Sequence, residues 1–156
     1  MPTVAPTVAP TVAPTIVPTV APTTAATTAH VGFQFTGITD PTVGPVAFYT
    51  LQAGASSAQI LRVAAGSQIS FVNDDMTGNP HTASGLGTGG FPATFNNTSG
   101  ATQAGSAING SLTWSTGTLL PGQRSQVFTI PAPGTYYFGC AFHYGSNQMR
   151  DVVVAT

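Results

Sequence analysis

From residue 30 onward, apolar and β-branched residues come in short runs, each closed by glycine, proline, asparagine or serine. The runs VGFQF (31–35), VAFYTL (46–51), QILRV (59–63), QISFVN (68–73), SQVFTI (125–130), TYYFGC (135–140) and DVVVA (151–155) have the length and β-branched character of strands. AGS at 65–67 and PAPG at 131–134 supply turn residues between them. In TYYFGC, the period of two puts Tyr136, Phe138 and Cys140 on one face, so the cysteine is expected to leave the strand pointing into a core. No segment carries a helical period. The pattern predicts an all-β chain, an antiparallel sandwich of short strands. Residues 84–118, rich in Gly, Ser, Thr and Asn, are too long for a simple loop and are expected to add a strand or two around Trp114.

The beginning of the chain follows another rule. PTVA stands at 2–5, 6–9, 10–13 and 18–21, with PTIV at 14–17 and PTTA at 22–25. Proline at every fourth position removes a backbone donor each time and biases the preceding residue to extended geometry. A disordered or polyproline II tether is the expected state, rising about 3.1 Å per residue, with threonines suited to O-glycosylation. Two parts are therefore expected: a tail over 1–29 and a folded domain over 30–156.

Composition narrows the function classes. Only 4% of the 156 residues are charged, against about 25% in an average globular protein. There is no lysine; the cations are Arg62, Arg124 and Arg150, the acids Asp40, Asp74, Asp75 and Asp151, and the net charge is −1. Without a basic patch, nucleic-acid binding has no electrostatic basis. The single cysteine excludes an internal disulfide. No run of eighteen apolar residues is present to span a membrane as a helix, and no leader pattern opens the chain. The expectation is an exported protein in its processed form, with an added Met1.

The chemistry gathers near the C-terminus. In GTYYFGCAFHYGSNQM, His143 follows Cys140 by three residues and Met149 follows His143 by six. A second histidine, His81, stands in DDMTGNPHT just after QISFVN. Loops at one end of a sandwich converge, which would bring a thiolate, two imidazoles and a thioether together. Two histidines and a cysteine in a trigonal plane, with a long axial methionine, are the donors of a type 1 copper site.

These stretches resemble the blue copper proteins, the cupredoxins of plastocyanin and azurin type. GTYYFGCAFH…M looks like their C-terminal signature, PGQRSQVFTIPAPGTYYFGC like the strand–turn–strand leading into the cysteine, and NPHT like the loop of the first histidine. The resemblance covers roughly 59–83 and 119–155, more weakly 31–51, and leaves the tail outside. It implies a Greek-key β-sandwich or barrel and one type 1 copper ion held by His81, Cys140, His143 and Met149. Two positions depart from the family pattern. Plastocyanin-like loops place the methionine where Gln148 stands here, and glutamine is an axial ligand in some relatives, so Gln148 stays an alternative to Met149. Thr82 stands where many relatives carry asparagine; its hydroxyl is expected to bridge to backbone beside the cysteine.

The function implied is a shuttle of single electrons between Cu(II) and Cu(I), serving redox protein partners of cytochrome or oxidase type. Enzymatic catalysis by several coppers would need His-x-His pairs, and the chain has three histidines and no such pair. A monomer in the periplasm or at the cell surface is expected, tethered by its tail, with membrane association only through a removed anchor. A copper carrier or store without electron transfer is the alternative. The rim around His143, with Phe142, Tyr144 and either Phe91 or Pro92 from the Gly-rich stretch, is the expected docking surface. His30 and Met76 receive no role.

Overall fold

A computed structural model describes Met1 and residues 25–156. Residues 2–24, which carry nearly all of the proline repeat and of the expected extended tether, lie outside the described residues. Strand β1 (Thr27–Val31) opens the fold inside the segment expected as tail. The reason is local: beyond the last proline of the repeat, β-branched Thr27 and Thr28 lead into Ala29 and Val31, whose side chains are buried. The strand expected at 31–35 instead ends at Val31. The Gly32 N–H donates to the Phe48 carbonyl and the Phe35 N–H to that of Gly32, so the chain turns there.

A small hairpin follows, β2 (Ile38–Asp40) with β3 (Gly44–Val46). The strand expected over 46–51 is split by Phe48, whose φ of 73° lies in the left-handed region that a bulky residue seldom adopts. Val46 closes β3, and β4 (Tyr49–Thr50) takes up the rest of it. Then come β5 (Leu61–Val63) and β6 (Gln68–Asn73), the latter coinciding with the QISFVN run. The Gly/Ser/Thr-rich stretch contributes β7 (Ser84–Gly87), β8 (Gln103–Ala104) and β9 (Ser115–Thr116). β10 (Phe128–Thr129) and β11 (Gly134–Gly139) lead to the cysteine. A single helical turn, α1 (Tyr144–Asn147), not expected from the sequence, precedes β12 (Arg150–Ala155).

The strands form two main sheets, β10-β6-β1-β4 and β5-β12-β11-β7-β9-β8. The expected antiparallel sandwich is in fact mixed: β1 runs parallel to β6, and β5 parallel to β12. Parallel neighbours need a crossover rather than a hairpin. Here the chain supplies it by leaving one sheet for the other between the paired strands. Ile69 and Phe71 of β6 and Tyr136 and Phe138 of β11 meet in the core with Tyr49, Trp114 and Phe128. Phe138 packs edge-on against Tyr49 at 4.8 Å and Phe71 at 5.5 Å between ring centroids, which locks the two sheets together just beneath Cys140.

Candidate metal centre

Three pieces of chain meet at the end of β11. The first carries His81. The His81 N–H donates to the Leu119 carbonyl at 3.0 Å and the Leu119 N–H donates back at 2.8 Å, so the histidine backbone is pinned by an isolated bridge. The Tyr49 hydroxyl donates to the next carbonyl, that of Thr82, at 2.5 Å. The second piece is Cys140 itself, one residue past β11 and fully buried on the face shared by Tyr136 and Phe138, as the alternation predicts.

The third piece is the loop from Cys140 to Met149, which closes on itself. The Cys140 carbonyl accepts the N–H groups of His143 and Tyr144 at 3.3 and 3.0 Å. The His143 carbonyl accepts those of Asn147 and Met149, and the Cys140 N–H donates to the Met149 carbonyl at 3.0 Å. Gly139 makes this closure possible: a Cβ there would fall 2.7 Å from the Tyr144 ring and 3.0 Å from the Met149 carbonyl.

The donor atoms of His81, Cys140 and His143 lie within 4.8 Å of one another. Cys140 Sγ is 3.8 Å from His81 Nδ1 and 3.5 Å from His143 Nδ1. Donors at such separations can share one ion at ordinary bond lengths of about 2.0–2.3 Å. Met149 is fully buried in the same cluster as Cys140. Gln148, by contrast, is exposed, sits at φ 54°, and accepts from Arg150 Nη2 at 3.3 Å through its side-chain oxygen. The helical turn explains the longer spacing. Residue 148 caps α1 in the left-handed conformation, which turns its side chain outward and brings the next residue into the core. Of the two axial candidates, Met149 is the one that shares the buried cluster with the thiol.

The electrostatics suit a cation. Burial pulls both imidazoles below their ordinary value, and the neighbouring His81 adds to the effect at His143. Both rings are therefore neutral near pH 7, with a lone pair free to bind. Burial raises the Cys140 thiol, opposed by backbone N–H groups of Thr82, Phe142 and His143 that point at the sulfur; the Thr82 N–H lies 3.4 Å from it. Those donors are oriented for a thiolate, the form a bound metal enforces. The Thr82 hydroxyl accepts the Ala141 N–H at 2.8 Å, the bridge expected of that side chain. The donor set, two imidazoles, a thiolate and a thioether, fits copper in a type 1 site.

Two residues of the site carried no role in the sequence reading. Asp75 is buried, and its Oδ2 accepts the Nε2–H of His81 at 2.5 Å. Burial pushes its carboxyl up, but the hydrogen bonds from Thr77 and His81 prevail and leave it below the ordinary carboxylate value. Its position in DDMTGNPH, six residues ahead of the histidine, was the available signal. Phe33 stands edge-on to both imidazoles, at 5.1 Å from His81 and 4.9 Å from His143 between ring centroids, and also meets Phe48 at 5.0 Å. Nothing local in the sequence marks it, because the contact exists only once the chain has turned at Gly32.

The expected rim needs correction. Phe142 is exposed, at 44%, beside the half-buried His143. Tyr144 is buried, and its hydroxyl donates to the Pro92 carbonyl at 2.5 Å, because as the first residue of α1 it packs back over Gly139. Phe91 lies against Tyr137 and under the Arg150 guanidinium, on the outward side of β11. His30 pairs with Asp74, and Met76 is exposed.

No family model matches the chain, and no curated protein matches it. Among solved structures, the chain is similar to auracyanin B at 22% identity, covering 87% of this chain and 93% of that one, with a TM-score of 0.50. The chain has the cupredoxin fold. It also matches the dithionite-reduced auracyanin of the photosynthetic bacterium Roseiflexus castenholzii at 19% identity, over 85% of this chain and 99% of that one, with a TM-score of 0.49. A purple cupredoxin from Nitrosopumilus maritimus matches at 18% identity, over 83% and 98% of the two chains, with a TM-score of 0.46.

Proposed function

We propose that the chain is a mononuclear type 1 copper protein that passes single electrons between redox partners. The observation that carries the reading is the convergence of His81 Nδ1 and His143 Nδ1 on Cys140 Sγ at 3.8 and 3.5 Å, with Met149 buried in the same cluster. Bound by His81, Cys140, His143 and Met149, copper supplies a one-electron couple between Cu(II) and Cu(I).

The residues of the chain supply everything else. The bridge between His81 and Leu119, the Thr82–Ala141 bond and the closed loop from Cys140 to Met149 hold the ligands in place before any metal arrives. A frame set in advance needs little rearrangement when the charge at its centre changes by one. Burial of His81, Cys140 and Met149 keeps water from the donors. His143 is the ligand that reaches the surface, and Phe142 beside it offers an apolar contact, so the electron is expected to leave there. Neither hydrolysis nor an organic substrate has a part in this reading. A redox protein as partner, and a place outside the cytoplasm, belong to the same proposal; the near-absence of charge on the chain suits an exterior surface whose charge barely changes with pH. Titration with Cu(II) followed by voltammetry tests the reading. One equivalent bound and a reversible one-electron couple are expected. Tight binding without a reversible couple would favour a copper carrier or store instead.

A further inference from the structure

Asp75 does more than fill space beside His81. Its side chain and that of His81 are both fully buried, with Oδ2 2.5 Å from Nε2. A frame of hydrogen bonds fixes the carboxylate in turn. Oδ1 accepts the Thr77 N–H at 2.6 Å and the Thr77 hydroxyl at 2.5 Å. The Asp75 N–H donates to Asn73 Oδ1 at 2.8 Å. Asn73 Nδ2 donates to the carbonyls of Asn79 and Leu119 at 2.9 and 2.8 Å. Leu119 is the residue bridged to the His81 backbone, so the frame closes around both ends of the histidine.

An imidazole buried with one nitrogen against an acceptor has its tautomer chosen for it. The carboxylate takes the Nε2–H, which leaves Nδ1 bare, and Nδ1 is the atom that faces Cys140 Sγ. A backbone carbonyl at Oδ2 would choose the same tautomer. It would not bring a net negative charge into a dry site, where charge is felt strongly.

We infer that Asp75 is the positioning residue of the centre: its carboxylate fixes His81 as the Nε2–H tautomer and sets a buried negative charge behind one ligand, favouring Cu(II) over Cu(I). The charge effect rests on the copper reading proposed above; the tautomer effect does not.

The experiment therefore has a metal-free arm and a copper arm. In the metal-free protein, nitrogen-15 NMR of His81 reads the tautomer directly. Wild type is expected to carry the proton on Nε2. Asp75→Ala is expected to lose that fixed state and populate Nδ1–H. In the copper arm, Asp75→Asn removes the charge with almost no change in volume. The ratio of Cu(II) to Cu(I) affinity is expected to fall about tenfold, which raises the reduction potential by about 59 mV. An unchanged His81 tautomer in a folded Asp75→Ala protein would overturn the positioning role. An unchanged affinity ratio in Asp75→Asn would overturn the charge effect. Should Asp75→Ala fail to fold by circular dichroism, the metal-free wild type decides the positioning role, since a proton found on Nδ1, or shared between the two nitrogens, overturns it. Loss of the tautomer in Asp75→Ala, with no copper bound by the wild-type protein, would support the positioning role and overturn the copper reading alone.

Discussion

Thr82 and Ala141, 59 residues apart in the chain, are joined by a 2.8 Å hydrogen bond from the Ala141 N–H to the Thr82 hydroxyl. The bond ties the residue after His81 to the residue after Cys140. Thr82 is buried, and its hydroxyl also accepts from Ser84 Oγ at 3.0 Å. Thr82→Val keeps the shape and removes the acceptor, leaving the Ala141 N–H unpaired at a cost of about 1–3 kcal/mol. Thr82→Ser keeps the acceptor. Urea unfolding of the metal-free variants is expected to place Thr82→Val well below Thr82→Ser. Equal midpoints would show that the bond does not hold the loops.

Gln148 and Met149 are adjacent in the chain, the first exposed and the second buried. A thioether favours Cu(I) more than an amide oxygen does. Met149→Gln is expected to lower the reduction potential clearly, and Gln148→Ala to leave it near the wild-type value. The opposite ranking by voltammetry would move the axial ligand to Gln148.

Asp151 gives the metal-free protein a pH signature. It is fully buried on β12, and burial raises its carboxyl well above the ordinary value, with the Val152 N–H opposing weakly. In the unfolded chain the group ionises near pH 4. Above that pH and below the folded value, the native state holds a proton that the unfolded state has lost. Stability contributed by this group is therefore full below about pH 4 and declines as pH rises, by up to about 1.4 kcal/mol per pH unit. Asp151→Asn removes that slope. The stability of Asp151→Asn minus that of the wild type is expected to grow as pH rises from 4. Parallel stability curves would contradict the assignment.

The chain has little charge with which to steer a partner. Asp75 is buried and Asp74 is paired with His30, so the acids beside the first histidine loop offer little to an approaching protein. Electron transfer to a redox partner is expected to be nearly independent of ionic strength. Phe142→Glu is expected to slow it while leaving the absorption spectrum intact. A steep fall of stopped-flow rate with salt would contradict an apolar contact at Phe142.

The legibility of the chain follows the range of the forces involved. β6, β11 and β12 were readable because QISFVN, TYYFGC and DVVVA carry their own alternation and turns. The inward aim of Cys140 followed from the same alternation. β1 was misplaced because its pairing with β6 rests on residues 42 apart in the chain, as in Thr27↔Ile69, and TTAHV by itself looks like the end of the repeat. The break at Phe48 is set by packing against Phe33, which no local pattern announces. For the site, sequence order suggested that His81, Cys140 and His143 converge, and the fold brings their donor atoms within 4.8 Å. That Gln148 faces outward and Met149 inward was not legible, because it depends on a helical turn of four residues too short to leave a period. Asp75 and Phe33 were missed since each acts through a contact made by the folded loops.

The central claim is that Cys140, flanked by two imidazoles, binds copper as a thiolate. The most direct measurement is the visible absorption of the protein loaded with one equivalent of Cu(II), for wild type and Cys140→Ser. The wild-type protein is expected to show an intense thiolate-to-copper charge-transfer band, lost on adding a reductant and absent from Cys140→Ser. A colourless wild-type complex, or a band that survives in Cys140→Ser, would contradict the account.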